Sequence, residues 1–240
     1  MSSLAVLIAV LQTAPAPVPF SVGERFEYAA KFGILSVGSA SIEVASLDTV
    51  RGQSAYHFRF ALDGSVPFFK IKSSLESWTS EDDFHSLRFR RESKENNRHY
   101  LRFWEILSDS GYYRQVEPEP LAAAPTPSDP LDDASFLYFV RTTPLEVGKT
   151  YKFDRYFRSE RNPIVITVLK RERLELPDGT KVSCLVLNPV IGESGLFAAK
   201  ADARLWISED EQRIPVQIRS RYSFGTITLK LARIVRIGSS

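Results

Sequence analysis

Cysteine is almost missing from this chain: Cys184 is the single one among 240 residues. No intramolecular disulfide can form, and zinc sites built from several cysteines are excluded. A surplus of one charge is missing as well. Lys and Arg total 31 against 29 Asp and Glu, a net charge of +2, so the basic excess of a nucleic-acid-binding domain is not there. Any preference for anions must come from local clustering. No apolar run approaches the ~20 residues of a membrane-spanning helix. The three histidines, His57, His85 and His99, lack the spacing of a helical metal motif. No glycine loop of the phosphate-cradling kind occurs, so neither a metal nor another cofactor is expected.

What is present suffices for a sizeable core, since 43% of residues are hydrophobic. The first apolar stretch is Leu4 to Leu11, followed by the small and proline residues Thr13-Ala14-Pro15-Ala16-Pro17. That pattern fits the apolar region and cleavage zone of a secretory signal, although no Lys or Arg precedes it. Residues 1–19 are expected to be a signal peptide or a disordered apolar tail, and the mature chain to be periplasmic or otherwise exported. No cysteine follows the run, which argues against a lipid-anchored form.

Beyond residue 20 apolar and polar residues alternate with period two, the pattern of half-buried strands. Phe26, Tyr28 and Ala30 alternate with Arg25, Glu27 and Ala29; Tyr56, Phe58 and Phe60 alternate with His57 and Arg59. Arg51-Gly52, Asp63-Gly64, Glu95-Asn96-Asn97 and Pro177-Asp178-Gly179-Thr180 read as hairpin turns. Residues 117–130 carry five prolines and are expected to be an exposed loop or linker, because proline cannot donate to a ladder. A short helix is expected over Ala134 to Arg141, capped by Asp132 or Asp133 and stopped before Pro144. Strands resume at Thr150 to Arg158 and continue to the C-terminus.

Hairpin-length links imply antiparallel neighbours. The fold expected is all-β: a large curved antiparallel sheet or half-open β-barrel with one short helix packed against it. The parts are an N-terminal β part over 20–116, the proline-rich loop, and a helix with a C-terminal β part over 131–240. Residues 20–240 are expected to form one continuous domain.

Several segments together resemble a bacterial family known as domain of unknown function 3108. Gly23 to Tyr28 with Phe32-Gly33 and Val37 to Ala40 is similar to its opening. Asp133 to Arg141 and Leu145 to Tyr151 are similar to its middle, and Leu176 to Val182 with Leu205 to Asp210 and Arg213 to Val216 to its end. The resemblance runs from about residue 20 to the C-terminus and rests on the order of the segments. It implies an exported all-β protein and no particular chemistry. A looser likeness to periplasmic carriers of lipids and lipoproteins is a fold-level analogy.

No catalytic constellation is visible. Gly192-Glu193-Ser194-Gly195 lacks the spacing and context of a nucleophile elbow, and reads as a flexible loop. Cys184 alternates with Leu185 and Leu187 as a buried thiol would. The acidic clusters Asp82-Asp83, Asp132-Asp133 and Glu209-Asp210-Glu211 read as turns or caps, not as facing carboxylates. The candidate ligand surface is basic and aromatic: Lys72, Trp78, Arg88, Arg90, Tyr100, Arg102 and Trp104 fall on the polar side of consecutive strands. The bland alternative is a solvated face with Arg stems covering rings. On the apolar side Phe58, Phe60, Phe89 and Phe103 are core or line an acyl-chain cavity, with Phe68 and Phe69 as its rim. These features point to a non-catalytic envelope protein binding a lipid, lipoprotein or glycan. The alternative is a protein-interaction module of an envelope assembly, and a hydrolase of envelope polymers is the third reading.

Overall fold

The structure, a computed structural model, describes residues 18–66, 69–222 and 225–236. The expected leader or tail lies almost wholly outside these. The strands are β1 (Arg25–Phe32), β2 (Leu35–Val50), β3 (Gln53–Val66), β4 (Phe69–Ser80), β5 (Ser86–Glu95), β6 (Arg98–Leu107), β7 (Tyr112–Glu117) and β8 (Ala124–Pro125). A single α-helix among the described residues, α1 (Ser135–Thr142), follows. Then come β9 (Thr150–Phe153), β10 (Ile164–Glu175), β11 (Lys181–Val190), β12 (Arg204–Ser208), β13 (Pro215–Tyr222) and β14 (Gly225–Val235).

All 14 strands form one antiparallel sheet in the order β8-β7-β6-β5-β4-β3-β2-β1-β14-β13-β12-β11-β10-β9. Two meanders, β1–β8 and β9–β14, are fused where the first and last strands pair. The free edges, β8 and β9, flank the stretch of chain that carries the helix. Residues 126–131 lace these edges together. Thr126 donates its backbone N–H to Gly111 O (3.1 Å) and its hydroxyl to Phe157 O (2.9 Å). Leu131 exchanges backbone hydrogen bonds with Arg155 and Phe157, and Ser86 N–H reaches Pro130 O (2.7 Å). The barrel is thus half-open, with an irregular strap in place of a closing ladder.

Bulges bend the sheet so that one face can wrap a core. Register shifts occur at Glu27/Tyr28, Val44/Ser46, Trp78/Thr79 and Val168/Lys170. One apolar cluster takes Phe26, Phe58, Phe89, Ile166, Leu205 and Ile218 from strands far apart in the sheet order. Helix α1 sits inside this curve. Phe136, Leu137, Tyr138, Phe139 and Val140 are all buried, so every side of the helix is apolar. Tyr138 stacks on Phe58 at 3.8 Å between ring centroids. Eight residues are too few for a helix to persist alone, and the enclosure stabilises it.

Turn chemistry explains most connections. Arg51 (φ 49°) and Gly52 (φ 84°) alone link β2 to β3, the left-handed pair a tight hairpin needs. Asn96 (φ 52°) serves the β5–β6 turn in the same way. Asp63-Gly64, expected as a turn, instead lies inside β3. The close approach is at Gly38, the ladder partner of Gly64, where a Cβ would stand 2.1 Å from Asp63 O. The strand expected over 150–158 stops at Phe153; Tyr156 and Phe157 are fully buried in the seam instead. The proline-rich stretch contributes Pro125 to the edge strand β8, where its missing donor costs nothing.

The helix entry is a buried polar knot. Asp132 Oδ1 accepts the N–H groups of Ala134 (2.8 Å) and Ser135 (2.9 Å), while Ser135 Oγ accepts the Asp132 N–H (2.8 Å). Ser77 Oγ donates to Asp132 Oδ2 (2.5 Å), tying the cap to β4. Burial pushes the Asp132 carboxyl up to about 6, against the lowering effect of these donors. A raised carboxyl pKa means that the folded state takes up a proton between about pH 4 and 6. Its stabilising effect is therefore complete below that window and lost as pH rises through it. At ~1.4 kcal/mol per unit, the loss amounts to roughly 3 kcal/mol by neutral pH. Asp132→Asn keeps an acceptor for the helix N–H groups and removes the charge. Urea denaturation should find it more stable than wild type at pH 7.5 by about 1–3 kcal/mol, with the gap closing by pH 4. A gap independent of pH would refute the assignment.

Candidate functional site

The concave face is incompletely filled at one end. A cavity of about 330 Å³ lies there, lined by Phe60, Leu62 and Leu75 from one wall, Ile218 and Leu229 from the opposite wall, and Leu137 of α1. Its other lining residues include Val37, Gly64, Ser65, Glu95, Tyr222 and Ile227, which flank the β1–β2, β3–β4, β5–β6 and β13–β14 turns. Ser65 and Tyr222 are exposed, so the cavity opens to solvent at this end. Arg91 also lines it. The volume is within the usual range of small-molecule pockets, which are mostly apolar with a few polar groups.

The basic aromatic surface expected from the sequence is split between two faces. Trp78 pairs with Arg88 and Glu76 with Arg90, so Trp78, Arg88, Arg90 and Lys72 share the outer face. Phe89 pairs with Trp104, Arg91 with Arg102 and Ser93 with Tyr100. Residues opposite each other share a face, so Tyr100, Arg102 and Trp104 point to the concave side. Trp104 is only 8% exposed and stacks on Phe89 at 5.4 Å. The error has a physical source. Phe103 and Trp104 are adjacent and both apolar, so alternation gives the parity of β6 but not which parity is buried. Phe103, expected in the apolar core, is on the outside near Trp78 (6.5 Å). Phe68 lies outside the described residues, and of Phe69 only the backbone is described.

The outer arginines are already neutralised. Arg88 donates to Glu105 (2.7 Å), and Arg90 to Glu76 (3.0 Å) and Glu92 (2.6 Å). Trp78 gives its indole N–H to Asp48 (2.9 Å) and stacks on His57 at 4.4 Å. Hydrogen bonds from His57 and then Arg90, aided by the charge of Arg59, hold Glu76 down to about 2 despite burial. Around these arginines the face is an ion-pair ladder, and its guanidinium charge is matched by carboxylates.

One serine–histidine–carboxylate grouping, invisible in the sequence, occurs on it. Ser46 Oγ is 3.5 Å from His57 Nδ1, and His57 Nε2 is 3.0 Å from Glu76. Ser46 gives its proton to Asp48 (2.7 Å) and not to His57. The geometry is that of a structural hydrogen-bond network and not of an activated nucleophile. Among the described residues no three His, Cys, Asp or Glu side chains converge as a metal site would require. Cys184 is buried, and burial pushes its thiol up to about 12, far from a reactive thiolate. His85 is buried, with Nδ1 2.8 Å from Asp83.

The sequence profile described as "Protein of unknown function (DUF3108)" matches residues 27–232. The chain belongs to this family. Among curated proteins none matches. Among solved structures, a β-barrel-like protein of domain of unknown function DUF1849 from Brucella abortus is similar, with a TM-score of 0.55 at 10% identity. The likeness covers 90% of this chain and 98% of that one, and it concerns the fold. In this DUF3108 protein the cavity lining includes Phe60, which the sequence offers as core or as the wall of such a space. Nothing in the sequence marks Leu62, Leu75, Leu229 or Arg91 as its other lining residues. No described helix is long and apolar enough to cross a membrane.

The loop Gly192–Gly195, expected to be flexible, is pinned. The guanidinium of Arg161 donates to Ile191 O (3.2 Å) and Ser194 O (2.9 Å) and pairs with Asp133 (3.2 Å). Gly192 must be glycine: at φ 58° its Cβ would sit 2.9 Å from Arg161 Cγ. The loop delivers Leu196 and Phe197 to the cavity wall.

Proposed function

We propose that this protein is a non-catalytic binding protein of the cell envelope, holding the hydrocarbon part of an amphipathic molecule inside its curved sheet. The observation that carries the reading is the apolar cavity of about 330 Å³ between the β3–β4 and β13–β14 walls. At roughly 30 Å³ for each group about the size of a water molecule, it takes on the order of ten methylenes. Each methylene removed from water contributes about 0.8 kcal/mol, enough in sum for useful affinity. Export is part of the proposal and rests on the apolar run at Leu4 to Leu11. Native mass spectrometry of protein purified from its own host, followed by organic extraction, tests the reading. A bound lipid or other amphiphile supports it, and a bare chain that also takes up no added amphiphile defeats it.

A substitution that fills the cavity sharpens the test. Leu62→Trp or Ile227→Trp replaces about three methylenes of ligand, worth about 2.4 kcal/mol. Affinity for an alkyl ligand should fall about fifty-fold while the melting temperature stays level or rises. Unchanged affinity in both variants, measured by displacement of a fluorescent fatty acid, would place the ligand elsewhere.

A second reading has its own observation. β7 pairs only with Phe103–Leu107 of β6, so residues 98–102 present an unpaired strand edge among the described residues. Such an edge can accept an added strand from a partner protein. Crosslinking in envelope fractions, with a photoreactive residue at position 99, would capture that partner if this reading is correct.

A further inference from the structure

Arginines on the two faces of β5 are treated differently. Outside, Arg88 and Arg90 each have a carboxylate within 3.0 Å. Inside, Arg91 lies between Leu75 on β4 and Arg102 on β6 in the register of the sheet. Neither Arg91 nor Arg102 has a carboxylate within ion-pair distance among the described residues. Arg102 donates only to the adjacent Leu101 O (3.0 Å). Like charges directly opposite one another destabilise a sheet. Outside, where water screens them, Lys72 and Lys94 also face each other. Arg91 does not have that relief in full, because it is half-buried against the apolar cavity. The two acidic groups in the lining do not supply the missing charge. Asp133 is committed to Arg161, and Glu95, which accepts from Ser93 (3.4 Å), is not within ion-pair distance of Arg91.

Resting on the chain-binding reading above, we infer that Arg91, assisted by Arg102, binds the headgroup of an oxyanion-headed single-chain amphiphile. A guanidinium offers paired N–H donors that match a carboxylate or phosphate, and such charge-assisted bonds are strongest where water is partly excluded. A cavity of about 330 Å³ matches a single alkyl chain of on the order of ten methylenes. The ligand is therefore a fatty carboxylate or an alkyl phosphate monoester, with its tail toward Leu137 and Ile218 and its head at Arg91.

Calorimetric titration at pH 8 with dodecanoate, dodecyl phosphate and 1-dodecanol tests this, since the three share one tail. The anions should bind wild type at least ten-fold tighter than the alcohol. The better of the two anions identifies the headgroup. Arg91→Gln should bring the anions to within three-fold of the alcohol without weakening the alcohol itself. Arg102→Gln, at an exposed position that disturbs no packing, should reduce the preference by a smaller factor. Equal affinity for alcohol and anions in wild type, or an anion preference that survives both substitutions, overturns the headgroup assignment while leaving the cavity reading intact. Failure of all three ligands to bind removes both.

Discussion

Arg141→Ala should lower the stability of this protein by about 3–5 kcal/mol, a large share of the ~5–15 kcal/mol that holds a typical domain together. Arg141 ends helix α1 with its side chain 1% exposed, beside Glu24 at 5%. It donates to Glu24 (2.6 Å), to Pro19 O (2.7 Å), to Gln212 O (2.9 Å) and to Arg213 O (3.1 Å). Its guanidinium also lies 5.1 Å from the ring centroid of Phe26. One side chain thus fastens the N-terminal segment and the β12–β13 turn to the enclosed helix. Truncation would leave a buried carboxylate and several carbonyls without their donor, which costs more than the pair itself contributes. Arg141→Lys cannot replace this fork of donors and should also destabilise. The double substitution Arg141→Met with Glu24→Leu should recover part of the loss, because no charge is then stranded. Urea denaturation of the three variants reads this order, and a double variant no better than Arg141→Ala would contradict it.

Trp104→Ala should cost about 3–5 kcal/mol, and Phe103→Ala less than about 1 kcal/mol. Adjacent aromatic residues would then differ several-fold in weight because one is packed and the other lies on the wet face. Trp104 contacts Phe89 and also Phe157, at 5.6 Å, across the seam between the free edges of the sheet. Removing it opens a void where β6 meets the strap that closes the barrel. Phe103 has Trp78 as its aromatic neighbour and otherwise faces the ion-pair ladder. Equal costs for the two would mean that the faces of β6 are assigned the wrong way round.

That pair marks where the sequence stops being legible. Period-two alternation discloses strands wherever one parity is clearly apolar, as at Phe26, Tyr28 and Ala30, and left-handed turn residues disclose hairpins, as at Arg51-Gly52. The short helix was readable from Asp132 and Pro144. Alternation is silent where both parities are apolar, and so it could not place Trp104. It also cannot show that Asp63-Gly64 continues a strand instead of turning the chain, or that Gly38 is the glycine that admits a neighbouring backbone. The site was harder still. A cavity is a deficit of volume between walls far apart in the chain, and Leu62 looks the same in sequence whether Leu229 touches it or not. The pairing of charges is equally non-local: alternation sets Arg91 on the side of Leu87 and Phe89, opposite Arg88 and Arg90, and only the fold shows that the outer two have carboxylates and that Arg91 meets a cavity. Arg102, placed in the candidate surface for its charge, keeps a place in the ligand proposal from the concave face.

The account stands on an unfilled apolar space inside the curved sheet that takes a hydrocarbon chain. A crystal structure of the protein purified from its own host without denaturation examines that space directly. Continuous elongated density between Leu75 and Leu229, ending near Arg91, is the predicted result. Leu75 and Leu229 in direct van der Waals contact, with no space left between the walls, would contradict it.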